Sequence, residues 1–380
     1  MLILHISDTH LGKRQYSLSE REKDIYNVFS QLIDIAIKEH VDAVIHSGDL
    51  FDEYNPSNNA LVYAIQGLKK LKDANIPFLS IPGDHDTPKR KGVLYPQRTL
   101  SEVDLIRMLD YQKPFVLNNL EIYGIPHIPT VAKTELKKIL LSLKPKTKKS
   151  ILLMHQGIKE ILPYESAWQI DSVGDLPDGF GYYALGHFHT RWKLERGDGS
   201  IVAIAGSPDI MREEEIDGYN KYGKGAYLID FSKELPKLQE INLDIRPQKV
   251  VTINTKNLSA DIQKLKNELK NEKVKPLLHI ILKGDSIKKD VLNRELALLD
   301  SVALYYRIYK DETRQVLGDV VLTLPKEKGL DNIIIEYLTK YEGFDKTEAN
   351  LILELIKNVD SEDIISDLIT KLTGVEINEN

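Results

Sequence analysis

Cysteine is absent from the 380 residues. That excludes a disulfide framework, thiolate metal sites, iron–sulfur clusters and a cysteine nucleophile. Long apolar runs are absent too. No stretch of 18 apolar residues occurs, so no membrane-spanning helix is expected. The apolar opening, Met1 to Ile6, is too short for the core of a signal peptide and leads into Asp8 and His10. The expected setting is soluble and intracellular. Positive charge is not in excess either: Lys plus Arg total 51 against 57 Asp plus Glu, a net charge of −6. Taken whole, that balance speaks against a nucleic-acid binder, whose usual footprint is a surplus of Lys and Arg. The acidity is local, however. Residues 324–380 hold 6 Lys and no Arg against 13 Asp plus Glu, which leaves the preceding 323 residues at +1. The whole-chain charge averages two surfaces and does not exclude DNA.

What is present is ordinary soluble composition, 42% apolar and 28% charged, with length for two or three domains. The first half repeats a short apolar run, a polar turn and a helical pattern. The runs Leu2–Ile6, Asp42–His46, Pro77–Ile81, Ile151–Met154, Tyr182–Leu185 and Ile201–Ala205 read as strands. Ile25, Val28, Phe29, Leu32, Ile33, Ala36 and Ile37 recur at helical spacing, with Ser19 as the expected cap and Glu22 three residues on. Leu61, Ile65, Leu68 and Leu71 do the same after Pro56 and Ser57. Alternating strands and helices predict an α/β fold with an at least partly parallel sheet. The pattern changes near residue 245. Strands at Val250–Thr255, Leu277–Leu282 and Ala303–Tyr309 alternate with helices at Ser259–Asn271 and Lys288–Leu299, a second α/β unit. From Lys326 on the chain reads as helical, with apolar stripes at Ile333–Leu338, Ala349–Ile356 and Ile364–Leu372. The expected division is 1–245, 246–323 and 324–380.

Chemistry lies in the turns. Asp8-Thr9-His10, Gly48-Asp49, Gly83-Asp84-His85-Asp86, His155-Gln156-Gly157 and Gly186-His187-Phe188-His189 each follow a predicted strand. Parallel strands bring their C-terminal ends to one sheet edge, where such turns converge. His nitrogens and carboxylate oxygens without sulfur suit Mn²⁺, Fe²⁺ or Zn²⁺. Asp8, His10, Asp49, Asp84, His155, His187 and His189 are more donors than one ion needs and suit two with a bridging carboxylate. Any one of these turns alone is commonplace; five in 190 residues is not. The alternation in His187-Phe188-His189 allows both rings to address one point on an extended segment. His5 and His46 lie in or at the end of strands and read as core, while His40, His127 and His279 have no partner pattern.

These motifs, in this order, resemble the calcineurin-like metallophosphoesterase superfamily. Asp8-Thr9-His10-Leu11-Gly12, Gly48-Asp49-Leu50-Phe51, His155-Gln156-Gly157, Asp175-Leu176-Pro177 and Tyr183-Ala184-Leu185-Gly186-His187-Phe188-His189 resemble one branch of it over residues 1–210. That branch is the archaeal-like double-strand-break repair nuclease of the Mre11/SbcD type. The resemblance implies an α/β sandwich, a smaller α/β DNA-capping domain and a C-terminal helical segment. It implies two Mn²⁺ ions, one held by Asp8, His10, Asp49 and His189 and the other by Asp49, Asp84, His155 and His187. His85 would stabilise the reacting phosphate or protonate the leaving oxygen, with Asp86 holding its tautomer. Endonuclease and 3′–5′ exonuclease action on DNA ends, hairpins and single strands would follow. So would a homodimer, a coiled-coil ABC-type ATPase partner (Rad50/SbcC type) bound through residues 330–380, and a prokaryotic cytoplasmic, nucleoid-associated location.

Two positions depart from the family pattern. Asp84 stands where Asn is usual, adding a carboxylate to the site, and Asp52 stands where many members carry His. Lys13 and Arg14 follow the first metal-type turn and Lys89, Arg90 and Lys91 the third, so both clusters are candidate DNA phosphate contacts. The run Lys144, Lys146, Lys148 and Lys149 precedes a strand at its far end and reads as surface. Two competing readings remain. A phosphatase for small molecules or phosphoproteins would need neither the second domain nor the tail. A DNA-end scaffold with a degenerate site is suggested only by Asp84 and Asp52.

Overall fold

The computed structural model describes residues 1–88, 90, 92–161, 168–314, 330–340, 344–357 and 368. Most of the expected stripe Ile364–Leu372 lies outside the described residues, as do 315–323. The first strands are β1 (Leu2–Ile6), β2 (Ala43–His46), β3 (Phe78–Ser80), β4 (Arg107–Met108), β5 (Phe115–Leu117) and β6 (Leu120–Ile125). There follow β7 (Ser150–Met154), β8 (Tyr182–Leu185), β9 (Trp192–Glu195), β10 (Ile201–Ile204), β11 (Gly225–Asp230) and β12 (Lys237–Asn242). They form two six-stranded sheets, β12-β11-β1-β2-β3-β4 and β5-β6-β7-β8-β10-β9. In the first, β1 to β4 run parallel; in the second, β6, β7, β8 and β10 do.

This corrects the expectation of a single converging edge: the turns come from two sheets stacked face to face. The inner layer joins Ile3, Ile45, Leu79 and Ile81 of the first sheet to Ile151, Leu153, Tyr182 and Ala203 of the second. Helices α1 (Ser19–Lys38) and α2 (Asn58–Asp73) cover the outer face of the first sheet through Phe29, Leu32, Leu68 and Leu71. After α3 (Pro96–Glu102), helix α4 (Lys133–Ser142) covers the second sheet through Leu136, Ile139 and Leu140. Strands buried on both faces need apolar side chains at every position, which is why they read as unbroken runs. Ser57 caps α2 by accepting from Ala60 N at 3.2 Å. Ser19 does not cap α1: Leu18 occupies that position, and the Ser19 hydroxyl turns to Glu20.

Beyond α5 (Ile216–Tyr222), a three-stranded parallel sheet of β13 (Gln248–Asn254), β14 (Leu277–Asp285) and β15 (Tyr305–Arg314) carries α6 (Leu258–Leu269) and α7 (Lys289–Leu296). This unit has a core of its own, including Ile262, Leu265, Ile280 and Leu296. It meets the sandwich through a Tyr16–Tyr305 stack at 4.7 Å, Arg307 to Glu213 at 2.9 Å, and Arg246 to Asp24 at 2.6 Å. Residues 315–380 form a separate compact unit. There α8 (Leu330–Lys340) and α9 (Lys346–Lys357) are described, with Ala349 and Leu353 buried, Tyr337 and Ile356 exposed, and Lys357 paired with Asp331. Among the described residues no helix is long and apolar enough to cross a membrane.

Candidate metal centre

The parallel strands of each sheet end on the same side, and their turns meet there. Asp8 N and His10 N donate to the carbonyls of Gly48 and Asp49, which zips the first two turns together. Backbone space around them is tight. A Cβ on Gly83 would lie 2.7 Å from Asp49 Cγ, and one on Gly186 would lie 2.7 Å from both His155 Nδ1 and Ser7 Oγ. No other residue fits either position without displacing a donor. Asp8, His10, Asp49 and His187 all adopt left-handed φ values, 49°, 44°, 57° and 81°. Such conformations are costly for non-glycine residues and persist where the surroundings over-determine them, commonly at functional sites.

Donor atoms of Asp8, His10 and His189 lie within 4.8 Å of one another, as do those of Asp84, His155 and His187. Asp49 lies between the two groups. Its Oδ1 accepts from His85 N at 2.9 Å, while Oδ2 lies 3.7 Å from His10 Nε2 and 3.4 Å from His155 Nε2. The two histidines of the His-x-His segment separate, His187 joining one group and His189 the other. The left-handed turn at His187 is the reason: the segment is not extended there, so alternate side chains do not address one point. The donor set fits divalent cations on a specific observation. His10 Nε2 and His189 Nε2 face each other at 3.1 Å, while their Nδ1 atoms reach Asp52 Oδ1 at 3.1 Å and Glu215 Oε1 at 2.8 Å. Asp49 is held below the usual carboxylate range, because the neighbouring His155 and His10 outweigh the burial that would raise it. Burial alone would lower His155, but Asp49, Asp84 and Asp8 raise it well above the ordinary value.

Asp86 does not reach His85, which corrects the expected pairing. Its buried carboxylate accepts from Gly83 N at 2.9 Å, Phe51 N at 3.1 Å and Leu50 N at 3.2 Å, tying the second and third turns together. Burial and the Asp49 charge push it up to about 6 against those three donors. His85 instead uses Nδ1 to donate to the Asp52 carbonyl at 2.7 Å. A carbonyl can only accept, so Nδ1 carries the proton and Nε2 is left for other work.

Lys13 is engaged by Asp52 at 3.0 Å, Arg14 is half-exposed near Glu22, and Arg90 is exposed. Lys89 and Lys91 lie outside the described residues. His5 and His46 are fully buried, each pushed down to about 3 by burial first and then, respectively, by His46 and by the balance of Asp49, His155 and His10. His127, set aside in the sequence, stands at the rim: its ring centroid is 6.1 Å from those of both His155 and His187, and its Nδ1 reaches the His155 carbonyl. It follows β6, whose apolar run is broken by Glu121 and Gly124. Glu215 left no signal, because a carboxylate among three glutamates on a short helical turn is unremarkable by sequence.

Comparisons agree with this architecture. The Calcineurin-like phosphoesterase family matches residues 1–191. The DNA double-strand break repair protein Mre11 of Saccharolobus solfataricus is 65% identical over 99% of both chains. That of Sulfurisphaera tokodaii is 55% identical, covering 100% of this chain and 98% of its own. The chain belongs to the Mre11 family. As a member of the Mre11 family it is a metal-dependent phosphodiesterase nuclease with a divalent-metal site in its phosphoesterase domain. Among solved structures, a dimetal phosphatase from Danio rerio aligns at TM-score 0.35 and 10% identity, over 60% of this chain and 92% of that one.

Proposed function

We propose that the chain is a manganese-dependent endonuclease and 3′–5′ exonuclease that processes DNA ends in double-strand-break repair. The observation that carries this is the convergence of Asp8, His10, Asp49, Asp84, His155, His187 and His189 from strand ends in two sheets of a chain 65% identical to an Mre11. Asp8, His10, Asp49 and His189 would hold one ion and Asp49, Asp84, His155 and His187 the other. The chemistry a divalent pair supplies when bound is Lewis-acid polarisation of the phosphate and activation of water near neutral pH. His85 serves the leaving oxygen: with Nδ1 fixed on the Asp52 carbonyl, the proton it delivers is carried on Nε2, so it acts as an imidazolium. Asp86 keeps the Asp49 and Asp84 turns in register through backbone bonds. Arg14, Arg90 and, by sequence, Lys13, Lys89 and Lys91 hold DNA phosphates at the rim, positioning the backbone without reading sequence.

In this reading residues 1–245 are the nuclease domain, 246–323 the DNA-capping domain and 324–380 the segment that docks on a coiled-coil ABC-type ATPase through 330–380. A homodimer would form on the 57–72 and 101–109 segments, the first of which holds Val62 and Tyr63 at 49% and 44% exposed. The test is cleavage of hairpin and blunt-ended DNA with Mn²⁺, comparing the natural chain with His85→Ala and Asp49→Asn. Both variants should lose cleavage while remaining folded. Hydrolysis of p-nitrophenyl phosphate esters without any cleavage of DNA would overturn the reading in favour of a small-molecule phosphatase.

A further inference from the structure

The rings of His10 and His189 are held from behind in the same way, and this rests on the metal-centre reading above. Glu215, 6% exposed, accepts from His189 Nδ1 at 2.8 Å and Arg212 N at 3.1 Å through Oε1. Its Oε2 accepts from Ser207 Oγ at 3.1 Å, Met211 N at 3.2 Å and the buried Lys224 ammonium. Lys224 also donates to the His189 carbonyl at 2.8 Å, so the ion pair fixes both ring and backbone of one histidine. Asp52 repeats the arrangement for His10, accepting from its Nδ1 at 3.1 Å and from Lys13 Nζ at 3.0 Å. An ionised carboxylate accepts and cannot donate, so both Nδ1 atoms carry their protons and Nε2 is the ring atom each histidine has left for a cation. The two Nε2 atoms face each other at 3.1 Å. A single cation can bond to both from that separation. On the other side of the centre His155 is oriented by a neutral acceptor, the Ser47 carbonyl at 2.7 Å.

We propose that Glu215 and Asp52 are paired positioning carboxylates that commit His10 and His189 to one cation of the centre. They act through the imidazoles. Such outer carboxylates orient the ring, select its tautomer and raise its basicity, and their removal typically costs ~10–100-fold in metal affinity.

The experiment is Mn²⁺ titration of the full chain by calorimetry, with electron paramagnetic resonance counting bound ions and reporting whether they are coupled. The variants are Asp52→Ala, Asp52→Asn and Glu215→Gln combined with Lys224→Met, the last replacing the buried ion pair by a neutral pair so that no charge is stranded. Asp52→Ala and the double variant should each weaken one of two ions ~10–100-fold, leave the other unchanged and convert the coupled signal to a mononuclear one. Asp52→Asn, which keeps an acceptor oxygen, should restore most of the affinity. Two ions bound with natural affinity in Asp52→Ala overturns the proposal, and so does equal loss of both ions in a cooperatively melting variant. If the natural chain itself fails to bind two ions, the metal-centre reading fails instead.

Discussion

Asp84 joins Asp8 and Asp49 as a carboxylate of the metal centre. Its Oδ1 accepts from His155 Nε2 at 2.8 Å and His187 Nδ1 at 3.1 Å, contacts that need only an oxygen. Asp84→Asn keeps that oxygen and removes one negative charge. Mn²⁺-dependent cleavage should persist, or rise, while Mn²⁺ affinity falls about tenfold. Complete loss of cleavage by a folded, metal-loaded variant contradicts this. The same contacts set a pH dependence. Asp49 and Asp84 are held low and His155 is held high by one another, against the burial that pushes each the opposite way. Without metal, their pairing stabilises the fold only while all are charged. It is lost as pH falls through the folded values of the two carboxylates. It is also lost as pH rises from the ordinary histidine value of about 6.5 through the raised one of His155. The melting temperature of chelator-treated protein should therefore decline as pH is raised above about 6.5, and added Mn²⁺ should remove that decline by replacing the proton. A chelated profile that stays flat into the alkaline range refutes the argument. The donors were legible in the sequence because few residue types bind these cations and each follows a strand. Their orienting partners were not. The Ser47 and Asp52 carbonyls exist at every residue, and Glu215 reaches His189 across 26 positions with no fixed spacing.

At the scale of elements, α1 fastens the segment that carries Glu215. Arg21, 1% exposed, donates to Gln15 Oε1 at 2.9 Å, Asp24 at 2.7 Å, Asp209 at 3.1 Å and the Ile210 carbonyl at 3.1 Å. Arg21→Met should destabilise the fold by about 3–5 kcal/mol, because it leaves Asp209 charged and buried without its partner. Arg21→Met with Asp209→Asn should recover most of that loss, which chemical denaturation can measure. β6 and β11, equally buried, were missed, but six other strands buried on both faces were legible, from Leu2–Ile6 to Ile201–Ile204. The edge strands were not. Lys237–Asn242 and Trp192–Glu195 are largely solvent-facing and carry too few apolar residues to register, and β4 has only two residues.

For the whole molecule, if the unit from residue 315 onward is the docking segment proposed above, cleavage and partner binding should be separable. Deleting 330–380 should abolish capture of the ATPase and spare Mn²⁺-dependent cleavage of hairpin DNA. Loss of both activities, or of neither, contradicts it. A change of pattern near residue 245 and an acidic tail were visible in the sequence, though the compact units are 1–314 and 315–380. The division of the first part into two stacked sheets was not, since no local pattern distinguishes a strand that extends one sheet from a strand that founds another.

The first strand lies between β2 and β11, so Leu2 pairs with Asp230 on one edge while Ile3 pairs with Ala43 on the other. On a ribosome, which releases the chain from its N-terminus, β1 waits for more than half the protein to emerge before its second edge is covered. Contacts this distant in sequence slow folding, and an uncovered strand edge invites the wrong partner. The donors are spread over the same interval, from Asp8 to His189, so the complete centre can form only after both sheets have been synthesised and joined. Hydrolytic competence is thus acquired late in biosynthesis: a nascent chain cannot cut nucleic acid before it has folded.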